Sequence, residues 1–245
     1  MNKLIDTHFH LDFYKNHDQI YQQINNLQQH TLCVTNSPGV YLSCRKLYPE
    51  TQYVKFALGF HPQEMCLSSR DMKDFQGLLH STYYVGEVGL DYSSKYRRSQ
   101  VQQRILFDEI VNACSRSNKL MSVHLRQSED DAIEIIRKYY PKKCIIHWFT
   151  GNLTQLDQLI KLGCYFSLNT NMVKTTLQIE KILRIPIERI LIESDGPFTK
   201  VNGNTFVPAL LADAYSEIAE VLDIHNFSTQ VHDNFNKILK IKDIK

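Results

Sequence analysis

Two histidines one residue apart, His8 and His10, close the apolar start Leu4-Ile5-Asp6-Thr7-His8-Phe9-His10. Side chains two positions apart on a β-strand point the same way, so the pair can face one metal ion together. Alone, a His-x-His fits equally well with surface or core histidines that bind nothing. The partners elsewhere in the chain decide. His61 stands in Gly59-Phe60-His61-Pro62, and Glu87 and Asp91 in Gly86-Glu87-Val88-Gly89-Leu90-Asp91-Tyr92. His124 stands in Val123-His124-Leu125-Arg126, His147 in Ile146-His147-Trp148-Phe149, and Asp195 in Glu193-Ser194-Asp195-Gly196-Pro197. Singly, each has an ordinary reading: a satisfied rim histidine, a salt-bridging Glu87, a turn-forming Asp195.

The elements that must position these residues follow from short apolar runs recurring every ~20–35 residues, the spacing of strands alternating with helices. They are Lys3–His8, Thr31–Thr35, Val54–Gly59, Tyr83–Gly89, Leu120–His124, Cys144–His147, Cys164–Leu168 and Arg189–Glu193. Most are continuously apolar rather than alternating, as parallel strands covered on both faces require. Helical periodicity fills Val101–Ser117, Glu129–Tyr140 and Leu153–Leu162, and Ser128/Asp131 and Thr154/Asp157 resemble N-capping boxes. Eight strands with interleaved helices predict an α/β fold, a TIM (β/α)8 barrel forming one domain over residues 1–245. A doubly wound open sheet is the other architecture to weigh; no Gly-rich phosphate loop follows the first strand to support it.

In such a barrel the C-terminal strand ends meet on one face. Five of the ten histidines, with Glu87, Asp91 and Asp195, fall at those ends. His17, His30, His80, His225 and His232 fall in helices or connections and read as surface histidines. Charged groups packed into one apolar mouth need partners, and divalent metal is the simplest. A His/carboxylate set without Cys suits Mg or Mn, with Zn, Fe or Ni as alternatives. The six candidates His8, His10, Glu87, His124, His147 and Asp195 are too many for one ion that keeps an open position. They suit two ions bridged by a carboxylate, best Glu87 from a middle strand. Ions roughly 3.5–4 Å apart stabilise the attacking and leaving oxygens of a phosphoryl displacement and make hydroxide available near neutral pH.

Bulk properties exclude other classes. The net charge of +2 over 245 residues gives no generally basic surface, so an anionic substrate must be held by local charge or metal. Six cysteines without a C-x-x-C pair predict reduced, mainly buried thiols in a cytoplasmic protein. No signal-peptide pattern opens the chain, and no apolar run approaches the roughly 20 residues of a membrane span.

With these motifs in order, the chain resembles the TatD family of metal-dependent deoxyribonucleases. The likeness runs nearly end to end, from Ile5-Asp6-Thr7-His8-Phe9-His10-Leu11-Asp12 through the Gln103/Phe107 helix and Gly163-Cys164-Tyr165-Phe166-Ser167 to Asn234. The resemblance implies a TIM-barrel hydrolase cutting DNA phosphodiester bonds. It assigns His8, His10, Glu87 and Asp195 to one ion and Glu87, His124 and His147 to the other, with Asp195 also orienting or deprotonating the attacking water. It matches His61 and Arg126 to phosphate contacts, and places Tyr92 at the same rim.

Two departures stand out. The family's usual Thr-Asp-Ser/Ala-Pro segment is Ser194-Asp195-Gly196-Pro197, and the Arg often found after it is absent, with only Lys200 nearby. The Gly59-Phe60-His61-Pro62 and Asp195-Gly196-Pro197-Phe198 variants resemble the divergent TatD-type nucleases of Qat-kind antiphage cassettes, implying a role in antiviral defence and other cassette proteins as partners. Lys95, Tyr96, Arg97 and Arg98 suit a single-stranded end, or a solvated loop equally well; Lys142 and Lys143 fall on the opposite face. The resulting expectation is a monomeric two-metal DNase acting on single strands or ends. Its rivals are a metal hydrolase of another bond, such as an aminoacyl-tRNA ester, and a non-catalytic subunit of a defence complex.

Overall fold

The apolar runs form parallel strands and the periodic stretches form helices between them. The computed structural model describes residues 4–64, 69–93 and 100–241. Its strands are β1 (Ile5–Phe9), β2 (His30–Cys33), β3 (Val54–Phe56), β4 (Leu58–Phe60), β5 (Tyr84–Asp91), β6 (Leu120–Arg126), β7 (Cys144–His147), β8 (Tyr165–Leu168) and β9 (Ile190–Ile192). β1 to β3 pair in sequence order, as do β4 to β9, every pair parallel.

β3 and β4 are one stave interrupted at Ala57, whose N–H donates to the Cys33 carbonyl (2.8 Å) and whose carbonyl accepts from Thr35 Oγ1 (2.8 Å). Gly59 permits the interruption: a Cβ there would lie 1.5 Å from the Thr35 carbonyl oxygen. Eight staves result, and the ring closes where β1 meets β9. Across that seam Thr7 Oγ1 donates to the Ile192 carbonyl at 2.9 Å. The fold is thus the expected α/β architecture, a (β/α)8 barrel. Ile145, Ile146, Phe166, Leu168, Leu191 and Ile192 are buried, inward- and outward-facing positions alike, as a sheet covered on both faces demands.

The helices relevant to the site are α1 (His17–Leu27), α2 (Pro38–Leu47), α3 (Ser69–Leu78), α4 (Gln100–Arg116), α5 (Glu129–Tyr139), α6 (Leu153–Lys161), α7 (Thr176–Arg184), α8 (Leu211–Leu222) and α9 (Phe227–Lys240). A short antiparallel hairpin, β10 (Lys200–Val201) with β11 (Asn204–Thr205), follows β9. Both expected capping boxes are corrected. Ser128 precedes α5, but its hydroxyl donates to the Leu90 carbonyl (2.8 Å) and accepts from the Arg126 N–H (3.2 Å), tying it to the strands. Before α6 the cap is Asn152, which exchanges bonds with Gln155 in both directions at 2.9 Å. Asp157 pairs instead with Arg184.

The five described cysteines are free and buried; Cys66 lies outside the described residues. Among the described residues no helix is long and apolar enough to cross a membrane. Lys143 is buried at the N-terminal end of the barrel, where its Nζ donates to the Leu239 carbonyl at 3.1 Å.

Asn234 locks α9 onto the barrel. It is buried, and its Nδ2 donates to the carbonyls of Ile187 (2.7 Å) and Ile190 (2.8 Å) while its Oδ1 accepts from Gln230 (2.9 Å). Asn234→Ala removes both bonds and deprives the Ile190 carbonyl of this donor, while the Ile187 carbonyl keeps the Ile190 N–H. The expected loss is about 2–4 kcal/mol of stability, read as a lower urea midpoint at unchanged slope; a midpoint unchanged from the parent removes this role.

Candidate metal centre

At the C-terminal strand ends the apolar interior gives way to buried polar groups centred on Glu87 of β5, which is 3% exposed. Its Oε1 lies 2.8 Å from His124 Nδ1, 2.9 Å from His147 Nε2 and 3.1 Å from His61 Nε2. Its Oε2 lies 3.3 Å from the Nε2 of both His8 and His10. Asp195 Oδ1 stands 3.4 Å from His10 Nε2 and 3.7 Å from His8 Nε2. All six residues singled out as ligands are therefore neighbours. His61, singled out for phosphate contact, belongs to the same cluster.

Local structure explains each position. His8 and His10 lean the same way at the end of β1. Glu87, His124 and His147 come from three successive strands. Asp195 is not on a strand: β9 ends at Ile192, and Asp195 occupies a turn with left-handed φ of 48°. The turn is held from both sides. The Asp195 N–H donates to the His8 carbonyl (2.9 Å), and the buried Asp6 carboxylate accepts from the Ser194 N–H (2.9 Å) and hydroxyl (2.5 Å). Gly196 belongs to this packing. A Cβ there would sit 2.5 Å from Tyr14 Oη and 2.6 Å from Phe206 Cδ1, so these aromatics fill the space that the usual Ser or Ala would take.

Further groups orient the rings, and sequence reading did not single them out for this. Ser122 Oγ lies 2.7 Å from His8 Nδ1. Asp91 Oδ2 lies 3.2 Å from His124 Nε2 and accepts from Gln63 Nε2 at 2.7 Å. Glu193 Oε2 stands 3.5 Å from His147 Nδ1, and its carboxylate accepts from Ser167 and from Asn169 (2.9 Å). A signal for two supporting groups was available: Asp6 and Ser122 stand two residues before His8 and His124, the strand period.

The cluster's electrostatics follow from burial and mutual contact. Burial opposes charge on Glu87, but His61, His147 and His8 outweigh it and hold its carboxyl well below the usual range. Burial likewise opposes charge on His10, yet the Asp195 and Glu87 carboxylates hold its pKa up at about 10. Glu87 and Glu193 hold His147 well above the usual value against burial. His8 goes the other way, to about 4, through burial and the neighbouring His147.

Three overlapping sets have ligand atoms mutually within 4.8 Å: His8/His10/Asp195, His8/Glu87/His147 and His61/Glu87/His124. The donors fit divalent metal. Asp195 Oδ1 and His10 Nδ1 are buried without hydrogen-bond partners, and a carboxylate oxygen in that position calls for a cation.

The remaining site residues lie further out. Arg126 ends β6 and is exposed, as is Lys200 on β10. Tyr92 is corrected: it is buried, and its hydroxyl donates to Asp131 Oδ2 at 2.7 Å. Asp131 also pairs with Arg104, so Tyr92 joins β5 to α4 and α5 and does not offer its hydroxyl to the rim. Lys95, Tyr96, Arg97 and Arg98 lie outside the described residues.

The family model described as TatD related DNase matches residues 5–240. An uncharacterized metal-dependent hydrolase of Buchnera aphidicola is 27% identical over 97% of this chain and 99% of its own. Deoxyribonuclease Tat-D of Schizosaccharomyces pombe is 33% identical, over 47% of this chain and 38% of its own. In fold, the chain resembles the crystal structure of the Escherichia coli TatD homolog YJJV, with TM-score 0.85, 20% identity and 98% of each chain covered.

Titration of the cluster gives a test. The folded pKa of His10 exceeds its unfolded value of about 6.5, so its stabilisation is complete below that value and lost as pH rises towards about 10. His147 acts in the same sense. Metal ligation requires neutral imidazole and so strengthens with pH. Melting with chelator is therefore expected to give a Tm that falls from about pH 7 to pH 9.5, while stabilisation by added Mn²⁺ grows over the same interval. A flat Tm in chelator, with metal stabilisation independent of pH, contradicts this account.

Proposed function

The chain belongs to the TatD related DNase family of metal-dependent hydrolases, and from that premise we propose that it hydrolyses DNA phosphodiester bonds with two divalent ions, on single strands or strand ends. The observation that carries the reading is the division of Glu87, with Oε2 towards His8 and His10 and Oε1 towards His124, His147 and His61. One ion is assigned to His8, His10, Asp195 and Glu87, the other to Glu87, His124 and His147. When bound, such ions supply positive charge for the phosphoryl oxygens and acidify water near neutral pH. Mg or Mn suits this donor set, with Zn, Fe or Ni as alternatives.

The chain's own groups do the rest. Asp195 orients the attacking water and takes its proton. Ser122, Asp91 and Glu193 hold the three rings they face, so that the same ring nitrogens stay turned inward. Arg126, at the end of β6, supports substrate phosphate, with Lys200 standing where the family's Arg is absent. His61 borders Oε1 of Glu87, close enough to meet a phosphate oxygen there.

The Gly196 and Phe198 variants carry the finer proposal that the protein works in antiphage defence beside other cassette proteins. Buried free thiols suit a cytoplasmic setting.

The test uses labelled single-stranded DNA with Mg²⁺ or Mn²⁺. The parent is expected to cleave, chelator to abolish cleavage, and Glu87→Ala/His124→Ala to lower the rate by at least about 10²-fold, the scale expected for losing metal charge stabilisation. Equal background cleavage by both proteins sinks the reading. Hydrolysis of aminoacyl-tRNA with DNA left intact replaces it with the other ester.

A further inference from the structure

Two large apolar side chains stand exposed beside the cluster, Phe13 at 46% and Phe198 at 51%. Phe13 ends the short 3-10 helix Leu11–Phe13 after β1, and Phe198 lies in the turn after β9. Their ring centroids are 5.0 Å apart at 67°. Each is also 5.3 Å from the His10 ring, edge to face. His10 in turn faces Glu87 and Asp195.

The pair is anchored to the cluster's own backbone. The Phe198 N–H donates to the Asp195 carbonyl (2.8 Å) and the Phe13 N–H to the His10 carbonyl (3.3 Å). Other exposed apolar residues, such as Leu42, Leu47, Leu177 and Leu183, lie on the outer helices. Only Phe13 and Phe198, among the large exposed apolar side chains described, flank a residue of the cluster.

We propose that Phe13 and Phe198 form a stacking platform for the nucleobase next to the phosphodiester held at Glu87 and Asp195. The inference rests on the nuclease reading and adds the recognition element. An aromatic face accepts any base, because every base has a π-face, and it demands a base free of its duplex neighbours. The platform therefore selects single-stranded or frayed nucleic acid without reading sequence. It also supplies grip that does not depend on charge, on a chain whose net charge is only +2.

The experiment measures binding and cleavage separately. Anisotropy in chelator follows a labelled oligothymidylate and an abasic strand of equal length; cleavage of both is followed with Mn²⁺. Base–aromatic stacking of ~1–3 kcal/mol corresponds to a rise of about 5- to 150-fold in Kd and KM for oligothymidylate in Phe13→Ala and Phe198→Ala. The abasic strand is expected to bind all proteins alike, and kcat to stay within about threefold of the parent. Phe198→Tyr should restore binding and Phe198→Leu should not, a distinction that mere packing would not make.

Unchanged oligothymidylate binding in the Ala variants, or an equal loss on the abasic strand, overturns the platform, as does failure of the parent to bind oligothymidylate. Base-dependent binding without cleavage rejects the hydrolysis reading and leaves the platform standing. Cleavage with KM unchanged in the variants does the reverse.

Discussion

The mouth of the barrel depends on keeping one carboxylate, Glu87, charged while fully enclosed. A buried carboxylate without compensation is costly enough to protonate or to unfold its surroundings. Here five imidazoles reach it within 3.3 Å, from four different staves. They cannot all be charged. His8 and His147 stack with centroids 4.0 Å apart, and His8 stays neutral, its pKa pushed down to about 4, while His10 and His147 favour the proton. Protons thus do for the metal-free cluster what divalent cations do with neutral rings, so metal affinity and pH are linked through the same nitrogens.

Holding so many polar groups in register falls to the seam between β1 and β9. The seam joins residues 188 apart in the chain, and it is made by side chains as much as by backbone. Thr7 reaches the Ile192 carbonyl, and Asp6 takes both hydrogen bonds that Ser194 offers. Burial lifts the Asp6 pKa to about 7 despite those bonds. Without this seam Asp195 would have no fixed relation to His8 and His10, since no ladder strand carries it.

Much of this was legible in the sequence, for a physical reason. Parallel strands buried on both faces leave uninterrupted apolar runs, and a polar residue ending such a run stands out. Hence Cys144–His147 was found with its observed bounds and His8 and His10 at the end of β1, whereas Glu87 and His124 stand four and two residues inside the ends of β5 and β6, strands that run further than the apolar runs showed. The failures have physical causes too. Asp195 sits past its strand because a left-handed turn intervenes. His61 joins the cluster because Gly59 lets β4 lie against Thr35, a close approach that composition does not report. The α6 cap was displaced to Asn152 because a polar side chain two residues upstream of Thr154 was already placed to bond Gln155. Tyr92 read as a rim residue because its pairing with Asp131 joins residues 39 apart. Phe13 and Phe198 carried no signal in periodicity; their meaning comes only from standing beside His10.

The departures around Asp195 form one coupled change. Gly196 is required once Tyr14, Phe206 and Phe9 fill the space beside it, and Tyr14 is pinned there by donating to the Phe206 carbonyl at 2.7 Å. The aromatic wall keeps the Asp195 turn in place and presents Phe198 outward on the next turn of chain. The family's Arg, which would grip phosphate by charge, has no counterpart in this segment beyond Lys200. A guanidinium fork recognises the backbone that every nucleic acid shares, duplex included, whereas an exposed phenyl ring recognises only a base freed from its stack. On the proposed platform, that exchange would make the rim select by strandedness rather than by charge, and it leaves the Glu87 cluster beneath with all of its neighbours.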